Sequence, residues 1–190
     1  PYPRPREHAV NLRPFGNDAA RVSEIGLGCW QLGGSDWGDL SEADALAVLR
    51  AAADTGVTFL DTADVYGRGR SEELVGRFLK AAGRDHRTYN RDGAAFNVGE
   101  TFAGLPFAKG VELVERLRPL VPPGYTLAQL AVRWCLDHPA LTTVIPGART
   151  AGQAKANAAA AALPPLPAAL HDRLRDFFRD EVGPHVRGPD

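Results

Sequence analysis

Asp61 and Tyr66 stand five positions apart in the stretch Phe59-Leu60-Asp61-Thr62-Ala63-Asp64-Val65-Tyr66-Gly67. This places a carboxylate and a phenol within one short segment. A phenol can hand a proton to an oxygen that is gaining negative charge, provided that a neighbouring cation lowers its pKa from about 10. A carboxylate within reach can hold such a cation in place. Read without chemistry, Asp61 accepts loop amide protons and Tyr66 packs the rim. Asp64 and Arg68 read as solvated loop charges.

A second cluster suits an anion. Thr150 follows Gly147-Ala148-Arg149 directly, and Gln153 stands three residues further on, the spacing of a capping box that opens a helix. Helix N-termini attract phosphate through unpaired amides and the macrodipole, and an arginine can grip a phosphate with two parallel bonds. The bland alternative is an ordinary capped helix with a surface arginine.

The 190 residues suffice for one domain with a sizeable core. With 44% apolar and 24% charged residues, the composition is that of a soluble globular protein. Its 22 basic and 23 acidic residues are interspersed, and no basic stripe offers itself to nucleic acid. The apolar runs are too short to span a membrane, and Pro1 to Glu7 is not a secretory leader. Cys29 and Cys135 have no metal-ligand spacing and read as free thiols of a cytoplasmic protein. Methionine is absent, so the chain is expected not to begin at a translation start.

These residues need elements to hold them. Leu12–Phe15 and Arg21–Ile25, joined by Gly16-Asn17-Asp18, predict a hairpin that runs into a buried strand, Ile25 to Trp30. Ser41, with Asp44 three residues on, opens a helix carrying Ala45, Leu46, Leu49, Ala52 and Ala53 inward, and Gly56 stops it. Val57–Leu60 is a continuous apolar run, as in a parallel strand covered on both faces, and Asp61 ends it. Ser71 reads as the cap of the next helix, with Leu74, Val75, Phe78 and Leu79 inward. From His86 to Phe107 no period is visible. Then follow a helix over 109–120 and a helix opened by Thr126 and Gln129. The inner face of that helix is read as Leu127, Leu130, Ala131, Trp134 and Cys135. A third parallel strand, Thr142–Ile145, precedes the capped helix at Thr150, and a last amphipathic helix covers Leu170–Phe178. Alternating strands and helices predict an α/β fold with parallel strands, in a single domain over 1–190. Residues 1–85 supply the hairpin and two βα units. Residues 86–190 supply a loop, helices and the last βα unit.

Three motifs together resemble the start of the aldo-keto reductase family: Gly26-Leu27-Gly28-Cys29-Trp30, the Asp61–Gly67 stretch, and Ser71-Glu72. Ile145-Pro146-Gly147-Ala148-Arg149, with Gln153 and Asn157, resembles that family's last strand and helix. The resemblance implies a (β/α)8 barrel that reduces small carbonyl compounds with NADPH. Active sites of such barrels lie at the C-terminal ends of the strands. It also implies Tyr66 as the acid, Asp61 as the carboxylate that holds the cation, and Arg149 on the 2′-phosphate of NADP(H). Gly147 would lie in the cofactor cradle, with Gln153 and Asn157 at the adenine end. Trp30, just past the first strand, either walls the substrate mouth or is a core indole. No metal is implied.

The match departs from the family in the middle of the barrel. The family's catalytic Lys ends its third strand and its His ends the fourth, and neither has a counterpart here. Lys80, Lys109 and Lys155 are the chain's lysines, and none follows a strand. Three parallel strands stand where a barrel has eight, so the barrel is expected to be incomplete or truncated. Either part of a normal reductase is absent, or a short protein reuses the ends of a barrel, with its open sheet edges covered in a homo-oligomer. NADPH-dependent carbonyl reduction is then expected to be impaired. The rivals are a cofactor-independent cyclase, lyase or isomerase using Asp61 and Tyr66, and a non-catalytic nucleotide-binding or assembly subunit.

Overall fold

The structure, a computed structural model, describes residues 10–16, 20–34, 38–83 and 107–186. Strands β1 (Leu12–Pro14) and β2 (Arg21–Ser23) form the expected antiparallel hairpin, with Arg13 opposite Val22. Its turn residues Asn17 and Asp18 lie outside the described residues. A buried carboxylate anchors the hairpin. Glu24, 3% exposed, accepts from Asn11 Nδ2 at 2.7 Å and Arg13 Nε at 2.9 Å. Arg13 also donates to the carbonyls of Leu136 and Leu141, tying the hairpin to the far end of the sequence.

At the centre lies a parallel arc. Strand β3 (Leu27–Gly28) pairs with β4 (Leu60–Asp61), Leu27 opposite Leu60 and Gly28 opposite Asp61. On its other side single parallel bridges join Ile25 to Val144 and Gly28 to Gly147. The spatial order is therefore last strand, first strand, second strand, as at the seam where a parallel barrel closes. Ile25, Leu27 and Cys29 alternate with Gly26 and Gly28, and all three are at most 2% exposed. Of the strand expected over 57–60 only Leu60 lies in β4, and of the one expected over 142–145 only Val144 makes a bridge, both parallel to the first strand as expected.

Helix α1 (Glu42–Asp54) packs against both α2 (Arg70–Ala81) and α5 (Ala151–Ala159). Ala45, Val48, Leu49 and Ala52, none more than 1% exposed, share one core with β3. Ser41 caps α1 as expected, accepting from the Asp44 amide. The α2 cap differs from expectation: Gly69 takes it, and Ser71 lies inside the helix, fully buried. The described residues resume with α3 (Phe107–Leu117) and a 3-10 turn to Leu120, covering the helix expected over 109–120. Helix α4 (Leu127–Leu136) has the capping box of Thr126 and Gln129, but its inner face is rotated. Leu130, Val132, Arg133 and Leu136 are buried, while Trp134 is 38% exposed and packs on His138 at 4.5 Å instead of sitting in the core. The cause is a buried ion pair on the inner side, Arg133 to Asp137 at 2.9 Å, which the apolar pattern could not announce. Helix α6 (Ala168–Phe177) closes the described chain with a further turn through His185. The aperiodic stretch 84–106 lies outside the described residues.

Candidate functional site

The C-terminal ends of the three strands carry the chemistry-bearing residues on one face. Asp61 ends β4, and its carbonyl accepts from the Cys29 amide at 2.8 Å, fixing the exit of β4 against the exit of β3. Burial pushes the Cys29 thiol far above the ordinary range, and the charge of nearby Asp61 raises it further. Cys29 is thus a packed hydrophobe beside the site and not a nucleophile.

Tyr66 lies in the turn between β4 and α2. Gly67, Arg68 and Gly69 all have positive φ there, Arg68 at 56°. A non-glycine residue in that region is uncommon and marks a backbone held by its surroundings. One such hold is visible: a Cβ on Gly33 would come within 2.7 Å of the Gly67 nitrogen and the Tyr66 carbonyl carbon. The loops after β3 and β4 therefore touch backbone to backbone, which only glycine permits. Beneath them Ser71 Oγ donates to the Cys29 carbonyl at 2.8 Å and lies 2.9 Å from Thr62 Oγ1. Trp30, half-buried, stacks on Tyr66 with ring centroids 5.5 Å apart and planes 12° from parallel. This arrangement removes the core-indole reading of Trp30 and sets its ring beside the phenol.

The second cluster borders a groove of about 560 Å³ between α1 and the start of α5. Leu40, Asp44 and Ala47 form one wall, and Arg149, Thr150 and Gln153 the other. The capping box at Thr150 is complete, and Gln153 Oε1 also accepts from the Arg149 amide at 2.8 Å. That bond locks the backbone of Arg149 onto the helix start. Arg149 Nη2 donates to the Asp39 carbonyl at 3.3 Å, which leaves most of its donors for a ligand. Asn157 Nδ2 donates to the Gly147 carbonyl at 3.2 Å, so this residue braces the strand exit. The site residues thus form two groups: Asp61, Tyr66 and Trp30 after the exits of β4 and β3, and Gly147 and Arg149 at the exit of the last strand with Gln153 and Asn157 on α5.

Three contributors were not visible beforehand. Gln31 packs against Gly147 where a Cβ would collide with it, and its Oε1 is buried without a hydrogen-bond partner among the described residues. Arg70 donates to the Leu40 carbonyl at 2.7 Å, holding the loop that borders the groove. Asp44 lines the groove itself. The only signals in the sequence were Gln31's place after Trp30 and Asp44's capping distance from Ser41. The lysines stand elsewhere: Lys80 in the last turn of α2, Lys109 paired with Glu112 at 2.8 Å, and Lys155 exposed on α5. Among the described residues no His, Cys, Asp and Glu cluster is arranged for a metal ion. Nor is any described helix long and apolar enough to cross a membrane.

A sequence profile of the aldo/keto reductase family matches residues 24–92 and 122–178. Aldo-keto reductase YhdN of Bacillus subtilis (strain 168) is 48% identical over 63 residues, 33% of this chain and 19% of that protein. L-galactose dehydrogenase of Arabidopsis thaliana is 42% identical over 72 residues, 38% of this chain and 22% of that protein. The chain thus matches about a fifth of the length of these curated relatives. Among solved structures, an aldo-keto reductase from Bacillus halodurans in its holo form superposes with a TM-score of 0.65 at 16% identity. That superposition covers 88% of this chain and 96% of the other, and shows a shared fold.

Proposed function

We propose, from the premise that this chain belongs to the aldo/keto reductase family, that it binds NADP(H) through the groove beside Arg149 and presents Tyr66 and Asp61 to a small carbonyl compound. The reduction itself is impaired in this chain. The observation that carries this reading is the placement of both groups at the exits of strands flanking β3, on the face where barrel enzymes react.

The residues fit the phosphate end of such a cofactor. Among the described residues Arg149 spends one donor, on the Asp39 carbonyl, and the α5 N-terminus adds its dipole and the amides that the capping box leaves over. When bound, the nicotinamide supplies a hydride to the carbonyl carbon. Tyr66 then has the role of proton donor to the carbonyl oxygen as negative charge develops there. Asp61 orients whatever cation serves the phenol, and Trp30 walls the mouth by its stack on Tyr66. The impairment follows from the lysines, since Lys80, Lys109 and Lys155 all sit on helices and none ends a strand. A binding-only role is the second reading, favoured by the same positions of the lysines. The free thiols and the open outer edges of the arc, among the described residues, support a cytoplasmic homo-oligomer.

Fluorescence titration with NADPH followed by an aldehyde-reduction assay tests the reading. Binding is expected, with turnover reduced by about 10²–10⁴, the usual worth of general acid–base help. Robust turnover that Tyr66→Phe abolishes would overturn the impairment, and failure to bind NADPH would overturn the cofactor assignment.

A further inference from the structure

We propose that Asp44 is a specificity-determining residue of the Arg149 groove, setting it to accept a ribose with a plain 2′-hydroxyl as well as one that carries a 2′-phosphate. The inference rests on the reading of that groove as the adenosine end of a dinucleotide site. The two walls carry opposite charges: Arg149 on the strand exit and Asp44 in the first turn of α1. They do not contact each other, and among the described residues neither is in an ion pair. Arg149 is turned to the Asp39 carbonyl, and Asp44 Oδ2 accepts from Ser41 Oγ at 2.6 Å. Oδ1 of Asp44 has no hydrogen-bond partner among the described residues. The Ser41 bond orients the exposed carboxylate on the wall of the groove.

A phosphate placed on Arg149 would face that carboxylate across the groove and be repelled by it. A ribose diol would meet a strong acceptor, the same chemistry by which an acidic residue grips the ribose in other dinucleotide sites. Arg149 and Asp44 therefore pull the preference in opposite directions, and their balance makes the site permissive.

The test is isothermal titration of the full chain with adenosine 2′,5′-bisphosphate and with 5′-AMP, which need only the adenosine end of the site. Asp44→Asn, which keeps shape and a bond to Ser41, should tighten the bisphosphate about three- to tenfold and leave 5′-AMP equal or weaker. The gain should shrink as salt rises. Arg149→Ala should weaken the bisphosphate selectively. If Arg149→Ala has that effect while Asp44→Asn leaves the ratio of the two affinities unchanged, the groove reading stands and the role of Asp44 falls. If neither nucleotide binds the unaltered chain, both fall. Thermal melts of the variants confirm that the fold is retained in each comparison.

Discussion

Replacing Asp137 by alanine should be among the most damaging single changes in this chain. Its carboxylate accepts from Arg133 Nε and Nη2, both at 2.9 Å, from the Leu166 amide at 2.8 Å and from His171 Nε2 at 3.0 Å. Arg133 and Asp137 side chains are each 8% exposed, so the guanidinium cannot turn to water when its partner goes. Stranding a buried charge costs about 3–5 kcal/mol. Arg133 keeps Nη1 contacts to the Ala161 and Leu163 carbonyls, at 3.3 and 3.4 Å, which argues for the low end. The orphaned Leu166 amide adds about 1–3 kcal/mol, and the total is about 4–6 kcal/mol. Urea unfolding followed by circular dichroism should show the midpoint falling by about 2 M, using a slope of about 2–3 kcal/mol/M for a domain of this size. Adding Arg133→Met should recover about 2–3 kcal/mol, because the double variant leaves no unpaired charge. A loss below about 1 kcal/mol, or a double variant no better than the single, would refute the reasoning.

Four further outcomes are expected. Cys29 should resist a thiol reagent in the native state at pH 8, while the partly exposed Cys135 reacts more readily. The raised pKa of Cys29 means that its thiolate forms more readily in the unfolded chain. Stability that is complete below the free-thiol value of about 8.5 should fall above it by about 1.4 kcal/mol per pH unit, and Cys29→Ser should flatten that slope. Gly33→Ala should destabilise by about 1–3 kcal/mol and lower any ligand affinity of the Tyr66 face, because its Cβ would meet the Tyr66 backbone. An undisturbed affinity would show that the two loops do not need their contact. Sedimentation should show a species heavier than the 20.4 kDa monomer, and a stable monomer would remove the homo-oligomer.

What could be read from the sequence divides by the range of the interaction involved. The caps at Ser41, Thr126 and Thr150 were legible because a hydroxyl and an amide three residues apart are one local event. The inward faces of α1 and α2 were legible because burial repeats at the helical period. Ser71 was misread as a cap, since its true partners, the Cys29 carbonyl and Thr62, lie on two strand exits. Trp134 was misread as core, because the buried side of α4 is set by the Arg133–Asp137 pair and not by apolar residues. Gln31 and Asp44 escaped notice for a related reason. Each matters only through what lies across a gap: Gly147 for Gln31, and Arg149 for Asp44.

That gap lies along the seam of the arc, where the first and last parts of the described chain meet. Ile25 and Gly28 bridge to Val144 and Gly147, residues more distant in sequence than any others that β3 touches. The seam has little ladder to hold it, since the bridges are single. What closes it is side-chain and helix packing. Helix α1 lies against α5, with Ala45, Val48, Ala154 and Ala158 at most 5% exposed in one core. Small residues on both helices let their axes approach, and the approach forms the groove between their N-terminal turns. Arg70 and Arg149 then fasten the Asp39–Leu40 backbone from the two neighbouring units. A bulkier residue at Ala154 would push the helices apart and widen the groove before it reached any residue of the Tyr66 face. Arg149 and Asp44 would therefore lose their register while Trp30 and Tyr66 kept their stack. The geometry of the groove is thus set by the packing of α1 against α5.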